Sequence, residues 1–191
     1  MGDPLSETLN TVEQVLEFKK DSGLNILGVG YTIYPGSAFE PEMMRQAAQT
    51  VYQAHRAGLI AVLWIYPRGQ SVKDEADAGL AAGMAGLAAC LGADFVKLTY
   101  PKNITPAKLK DIIAAAGRTG VIFSGGSSLE PKKFLDILTT QIKAGARGSA
   151  TGRNIHQKPL AEAVRFANAI AAASLFSIPA SEAYKIYQKK K

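Results

Sequence analysis

The sequence predicts an α/β protein of parallel strands, in the form of an incomplete (β/α)8 barrel of the TIM type with about five βα units. Short β-branched and aromatic runs alternate with longer helical stretches along the 191 residues, and such alternation predicts parallel strands joined by right-handed crossovers. The centres of the runs lie roughly 26 to 34 residues apart, which is the length of one strand-loop-helix unit. Glycine-rich segments follow the last two runs, where barrels of this type often bind phosphate.

The strands are predicted from runs rich in Val, Ile and aromatic residues that are bounded by Gly, Pro or Asn. Five such runs occur, at residues 26–34, 60–66, 93–100, 120–126 and 146–152. Five strands are too few to close an eight-stranded barrel. The first and last strands should therefore have unpaired edges.

The helices between these strands have recognisable start signals. Thr105-Pro106 supplies a cap residue followed by proline at the first helical position, and Pro131 and Pro159 open two later helices in the same way. Helices are thus predicted at residues 40–57, 72–91, 106–116, 131–144 and 159–173. We expect one partial-barrel domain at residues 1–179, followed by a helical, basic tail at residues 180–191.

Charge and composition exclude several classes of partner. The net charge is +6, but Lys185, Lys189, Lys190 and Lys191 supply four of these charges, and a basic chain end is usually solvated. No basic patch interleaved with aromatic residues indicates nucleic-acid binding, and no apolar run is long enough to span a bilayer. With the single cysteine Cys90 and no secretory signal, the sequence predicts a cytoplasmic protein without nucleic-acid or membrane partners.

Lys97 is the first candidate catalytic residue. It lies within the apolar run Phe95-Val96-Lys97-Leu98, where an ammonium group loses hydration and must find a partner or become partly neutral. A neutral lysine amine attacks carbonyl groups and forms a Schiff base. A lysine whose head group reaches water at the end of a strand would fit this run as well.

Tyr66 is predicted to lie beside this lysine. Alternation along the second strand puts Trp64 and Tyr66 on one face, and alternation along the third puts Phe95 and Lys97 on one face. Neighbouring parallel strands would bring Tyr66 and Lys97 to the same end of one pocket. A phenol next to an imine-forming amine can donate and accept protons, whereas without such an amine Tyr66 would be a packing residue at the rim.

Two glycine-rich segments at consecutive strand ends predict a phosphate site. They are Ser124-Gly125-Gly126-Ser127 and Thr151-Gly152-Arg153-Asn154. Backbone N–H groups in such loops can close around a phosphate, and the guanidinium of Arg153 can add a charge-assisted contact. Either segment alone could be a plain turn, but the pair favours a phosphorylated small molecule as the partner.

Four segments carry a family resemblance, in a fixed order along the chain. They are Leu63-Trp64-Ile65-Tyr66-Pro67-Arg68-Gly69, Gly92-Ala93-Asp94-Phe95-Val96-Lys97, Phe123-Ser124-Gly125-Gly126 and Thr151-Gly152-Arg153-Asn154-Ile155. Together with residues 28–37, they resemble the archaeal-type class I fructose-bisphosphate aldolases, which are DhnA-like (β/α)8 enzymes. The resemblance extends from about residue 2 to residue 173, and it implies that the five units correspond to strands 4–8 of the barrel.

The resemblance also implies roles for individual residues. Lys97 would be the Schiff-base lysine and Tyr66 the proton donor and acceptor, while Trp64 would line the pocket. The substrate phosphate would be held by Ser124, Gly125, Gly126, Gly152 and Arg153. The family's first strand carries an acid in an Asp-His-Gly motif, which this sequence lacks. The chain is therefore a fragment, is completed by another subunit, or has diverged from its relatives.

The implied reaction is reversible aldol cleavage of fructose 1,6-bisphosphate, or a related ketose phosphate, to dihydroxyacetone phosphate and glyceraldehyde 3-phosphate. No metal or cofactor is expected, because an iminium ion withdraws electrons as a Lewis acid would and His55 and His156 show no ligand spacing. Alternatives are a related transaldolase or thiolase acting on another phosphorylated ketone, or an inactive phosphate-binding barrel fragment. The unpaired strand edges further predict a homo-oligomer.

Overall fold

The computed structural model describes residues 2–126 and 128–189 of the chain. Five parallel strands form one sheet in the order β1-β2-β3-β4-β5. They are β1 (Gly28–Ile33), β2 (Ile60–Ile65), β3 (Phe95–Leu98), β4 (Gly120–Ser124) and β5 (Gly148–Ala150). The strands follow one another in chain order and are linked by helices, as in part of a (β/α)8 barrel. The predicted fold class, an incomplete barrel of about five βα units, is confirmed.

The helices of the described residues lie between the strands and at both ends of the chain. They are α1 (Val12–Ser22), α2 (Glu40–Arg56), α3 (Ala78–Cys90), α4 (Pro106–Ala115), α5 (Pro131–Ala144), α6 (Arg153–His156), α7 (Leu160–Phe176) and α8 (Ala180–Gln188). Thr105 caps α4 as predicted, since its side chain accepts a hydrogen bond from Lys108 N. Helix α3 begins at Ala78 rather than at residue 72, because the Asp77 side chain accepts from Leu80 N and caps the helix there.

Helix α1 was not predicted, although the sequence contains its start signal. Thr11 Oγ1 accepts from Gln14 N, and Gln14 Oε1 accepts in return from Thr11 N, so the two residues form a capping box. The helix ends at Gly23, whose φ of 68° lies in the left-handed region that favours glycine. The short helix α6 was not predicted either.

Side chains alternate along each strand between two faces. One face packs against the helices and is fully buried, as at Ile33, Leu63 and Phe123. The other face would point into a closed barrel, and its residues, such as Val62 and Lys97, are only half-buried. The outer strands β1 and β5 are each paired on one side only within the described residues. The expected open edges are therefore present.

The buried residues form two separate clusters. The first cluster joins β1 to β4 with α2, α3 and α4, and the second joins α5, α7 and α8 around Phe134 and Phe166. Helix α8 is held in the second cluster by the buried Ala183 and by a hydrogen bond of 2.7 Å from the Tyr187 hydroxyl to Glu162. The division into domains at residues 1–179 and 180–191 stays a prediction, and Lys190 and Lys191 lie outside the described residues.

None of the described helices combines the length and the apolar character that crossing a membrane would require.

Candidate active site

The candidate site lies at the carboxyl end of the sheet, on its open face. Lys97 in β3 is in register with Trp64 in β2 and with Ile122 in β4, so these three side chains share that face. Tyr66 directly follows β2, and its backbone N–H donates to Ile33 O at 3.1 Å. The Lys97 Nζ atom lies 5.9 Å from the centroid of the Tyr66 ring. The structure thus brings Tyr66 and Lys97 together at one end of the sheet, as the alternation predicts.

The Lys97 side chain has few polar neighbours among the described residues. Its side chain is half-buried, with Val96 and Leu98 on either side buried against the helices. Among the described residues its Nζ makes no ion pair or hydrogen bond, and it lies over the face of the Tyr66 ring. No carboxylate of the described residues therefore holds this ammonium group in place.

Two aromatic side chains on the open face lean away from Lys97 and lie over glycines. The Trp64 indole crosses Gly30 of β1, and a Cβ at that position would overlap the indole ring. The Phe95 ring lies over Gly120 of β4, where a Cβ would be 2.7 Å from the ring atom Cδ1. The two glycines let the Trp64 indole lie across β1 and the Phe95 ring lie against β4. Sequence reasoning missed both, although an isolated glycine inside a strand indicates a close approach of this kind.

The two glycine-rich segments lie side by side, after β4 and β5. Gly125 N donates to Ala150 O at 3.1 Å, and a Cβ on Gly125 would be 3.3 Å from the Thr151 Cα atom. Three of the predicted phosphate residues, Ser124, Gly125 and Gly126, lie in or directly before the β4–α5 loop. The other two, Gly152 and Arg153, lie at the start of α6, where Arg153 is exposed. Ser127, which belongs to the predicted segment, lies outside the described residues.

Asn154 fixes the two segments to each other. Its side chain is 1% exposed, its Nδ2 donates to Gly125 O at 3.0 Å, and its Oδ1 accepts from Leu129 N at 2.7 Å. Both of these backbone groups belong to the β4–α5 loop, so a side chain of α6 sets the position of that loop. Sequence reasoning treated Asn154 only as the end of a motif and missed this structural role.

At the opposite end of the sheet, Asp94 links three elements. Its Oδ2 accepts from Ala61 N at 2.8 Å and lies 2.9 Å from His55 Nε2 at the end of α2. Partial burial opposes ionisation of Asp94, but these two contacts outweigh it and hold the pKa of this carboxyl below its usual range. His55 is therefore a structural contact at the end of the barrel remote from Lys97.

Comparisons with known proteins agree with one another. Residues 2–158 match the sequence model of a family described as DeoC/LacD family aldolase. The chain is 56% identical over 187 residues to a protein of Methanocaldococcus jannaschii named fructose-bisphosphate aldolase/6-deoxy-5-ketofructose 1-phosphate synthase, covering 97% of this chain and 60% of that relative. It is 36% identical over 171 residues to a class 1 fructose-bisphosphate aldolase of Thermoproteus tenax, covering 89% of this chain and 61% of the relative. The chain thus spans about 60% of the length of these curated relatives.

Solved structures give the same result. A fructose-bisphosphate aldolase from Slackia heliotrinireducens superposes with a TM-score of 0.93 at 48% identity, covering 97% of this chain and 60% of that one. An archaeal fructose-1,6-bisphosphate aldolase superposes with a TM-score of 0.79 at 34% identity, covering 91% of this chain and 66% of that one. In the latter structure the catalytic lysine is covalently bound to the carbinolamine intermediate of the substrate.

Proposed function

This chain belongs to the DeoC/LacD family of aldolases, and on that premise we propose that it is a class I aldolase that forms a Schiff base through Lys97. The proposed reaction is the reversible cleavage of fructose 1,6-bisphosphate, or a related ketose phosphate, to dihydroxyacetone phosphate and glyceraldehyde 3-phosphate. The names of the relatives support this substrate. The observation that carries the proposal is the position of the Lys97 amine, 5.9 Å from the Tyr66 ring centroid on the open face of the sheet.

The proposed chemistry begins with attack of the neutral Lys97 amine on the C2 carbonyl of the ketose phosphate. The carbinolamine that forms loses water and becomes an iminium ion, and this cation draws electrons towards C2. Removal of the proton from the C4 hydroxyl breaks the C3–C4 bond, which releases the aldehyde and leaves an enamine. Protonation of C3 and hydrolysis then release dihydroxyacetone phosphate and restore the amine.

Tyr66 is the proposed group that moves the protons in these steps. It is next to Lys97 at the carboxyl end of the sheet, where a phenol can donate to the leaving water and accept from the C4 hydroxyl. Trp64 would line the substrate pocket from β2. The loops at Ser124, Gly125, Gly126, Gly152 and Arg153 would hold one phosphate, and this fixes the distance between the phosphate and C2.

Borohydride trapping tests this proposal directly. We expect incubation with dihydroxyacetone phosphate and sodium borohydride to attach the reduced triose to Lys97, as measured by peptide mass mapping. Lys97→Arg keeps the positive charge but cannot form an imine, so it should not be labelled. The matched control Lys108→Arg changes an exposed lysine of α4 and should be labelled like the parent protein. Labelling of another lysine, or none in the parent, would contradict the proposal.

A second candidate function is aldol transfer, which the name of the 56% identical relative favours. Cutting 6-deoxy-5-ketofructose 1-phosphate between C3 and C4 gives dihydroxyacetone phosphate and methylglyoxal. The enamine on Lys97 could therefore attack methylglyoxal in place of glyceraldehyde 3-phosphate. Mass spectrometry of a mixture of fructose 1,6-bisphosphate, methylglyoxal and protein should then detect the 5-keto product. If cleavage occurs without this product, the chain is an aldolase alone.

We also propose that the protein is a cytoplasmic homo-oligomer. The backbone groups along the outer edges of β1 and β5 have no strand partner within the described chain, and each such group kept from water costs about 1–3 kcal/mol. Association that covers both edges removes this cost. Size-exclusion chromatography with light scattering should show a mass above that of one chain, and a monodisperse monomer would contradict the proposal.

A further inference from the structure

The side chain of Asp3 joins two loops at the carboxyl end of the sheet. Its Oδ2 accepts from Ala38 N at 2.8 Å in the β1–α2 loop, residues 34–39, and its Oδ1 accepts from Gln70 N at 2.9 Å in the β2–α3 loop, residues 66–77. Asp3 is half-buried, and hydrogen bonds to a carboxylate are shorter and stronger than those between neutral groups. One side chain thus bridges two loops that are distant from it in sequence.

The contact with Gln70 extends the pairing between β1 and β2 beyond the ends of both strands. Tyr66 N donates to the last residue of β1 at 3.1 Å, and Arg68 N donates to Pro35 O at 2.9 Å. Gln70 N is the next N–H group at this spacing, and it donates to the Asp3 carboxylate. The carboxylate therefore takes the position that a backbone carbonyl would hold in a continued pair of parallel strands.

A turn at Gly36 explains why a side chain takes this position. The φ of Gly36 is 95°, in the left-handed region that favours glycine, and the β1–α2 loop changes direction there. Gly69 passes so close to this turn that a Cβ on Gly69 would be 2.3 Å from Gly36 O. The two loops are therefore in direct backbone contact, and Asp3 holds them together just beyond that contact.

These contacts act on Tyr66, which is the first residue of the β2–α3 loop. Its ring centroid lies 5.9 Å from Lys97 Nζ, and the course of the loop sets the direction in which the ring points. We propose that Asp3 is a positioning residue for aldol cleavage, an inference that rests on the proposed function. Its carboxylate holds the β2–α3 loop so that the Tyr66 hydroxyl reaches the substrate on Lys97.

The variant Asp3→Ala of the intact chain tests this role by separating imine formation from cleavage. Borohydride labelling of Lys97 with dihydroxyacetone phosphate should stay within about twofold of the parent. Cleavage of fructose 1,6-bisphosphate should be about 10- to 100-fold slower, because a misplacement of about 1 Å costs up to 10²-fold. In the Tyr66→Phe background the same substitution should cost less than about twofold, because the group that it positions is already absent.

Amide hydrogen exchange tests the contact without relying on activity. Exchange at Ala38 N and Gln70 N should be at least about tenfold faster in Asp3→Ala than in the parent. Asp3→Asn keeps the shape of the side chain and one acceptor oxygen, so its exchange and cleavage rates should lie between those of the parent and Asp3→Ala. This variant keeps the test valid if Asp3→Ala fails to fold. The matched control Asp21→Ala changes an exposed carboxylate of α1 and should behave like the parent in every assay.

The outcomes separate the positioning role from the proposed function. Full cleavage activity in Asp3→Ala, or the same loss with and without Tyr66→Phe, would overturn the positioning role alone. Unchanged exchange at both amides would overturn it as well. A parent protein that is neither labelled nor active would contradict the proposed function, and the positioning role with it.

Discussion

Replacing Asn154 with alanine should destabilise the protein more than any other single polar substitution near the candidate site. The side chain is 1% exposed and makes two hydrogen bonds to backbone groups of the β4–α5 loop, at 2.7 Å and 3.0 Å. Asn154→Ala removes the donor and the acceptor together and leaves Gly125 O and Leu129 N without these partners.

The expected magnitude follows from these two contacts. A buried backbone group without a partner costs about 1–3 kcal/mol, and both groups are only partly buried, so values near the lower end apply. We therefore expect a loss of about 2–4 kcal/mol. With a urea m-value of about 2 kcal/mol/M, this loss lowers the midpoint of unfolding by roughly 1–2 M. It is also a large share of the total stability of about 5–15 kcal/mol that is typical of a protein.

Urea unfolding followed by circular dichroism measures this change. Asn168→Ala is the matched control, because Asn168 is exposed on α7 and its replacement should alter stability by less than about 0.5 kcal/mol. If Asn154→Ala unfolds within about 0.5 kcal/mol of the parent, then Asn154 does not fix the loop, and our account of how the two segments are held together is incorrect.

Three further outcomes are expected. Tyr66→Phe should leave borohydride labelling of Lys97 detectable but slow C–C cleavage by roughly 10²- to 10⁴-fold, the usual effect of losing a general acid–base; unchanged turnover would make Tyr66 a packing residue. Arg153→Ala should weaken phosphorylated ligands by about 1.5–3 kcal/mol in calorimetry, whereas equal affinity would remove Arg153 from the site. The pKa of the Asp94 carboxyl is lowered in the folded protein. The ionised carboxylate therefore stabilises the fold above the ordinary carboxyl pKa of about 3.9, and this stabilisation is lost as the pH falls through the lower pKa of the folded state. The stability difference between the parent and Asp94→Asn should therefore be largest near neutral pH and shrink in acid, and a difference that grows in acid would contradict this reasoning.

The regular elements could be predicted because their signals are local. A β-branched run such as Ile60–Ile65 is recognisable without knowledge of its neighbours, and Thr105 with Pro106 marks a helix start by its own chemistry. The capping box at Thr11 and Gln14 was equally local, but the helix it opens has little buried surface, with only Val12 fully buried. The weak apolar pattern of α1 explains why it was missed.

Parts of the candidate site could be predicted where two facts were enough: that side chains alternate between the two faces of a strand, and that consecutive strands are neighbours in the sheet. The adjacency of Tyr66 and Lys97 follows from two parallel strands that are neighbours in sequence and in space. The positions of Gly30 under the Trp64 indole and of Asn154 between two loops depend on register and on side-chain direction across elements. The register between strands and the direction of these side chains are set by tertiary packing, which cannot be derived from a single sequence.

The strictly sequential order of the sheet has a consequence for how the chain folds. Each strand pairs only with the strands immediately before and after it in sequence, so each unit can pack onto the preceding unit as soon as it is complete. Chains fold from the N-terminus as they are synthesised. The first buried cluster is nearly complete once β4 and Ala146 have emerged, whereas the second needs α7 and α8. We therefore expect a ribosome-bound chain to be compact in its first four units once β5 has left the exit tunnel, before α7 and α8 have emerged.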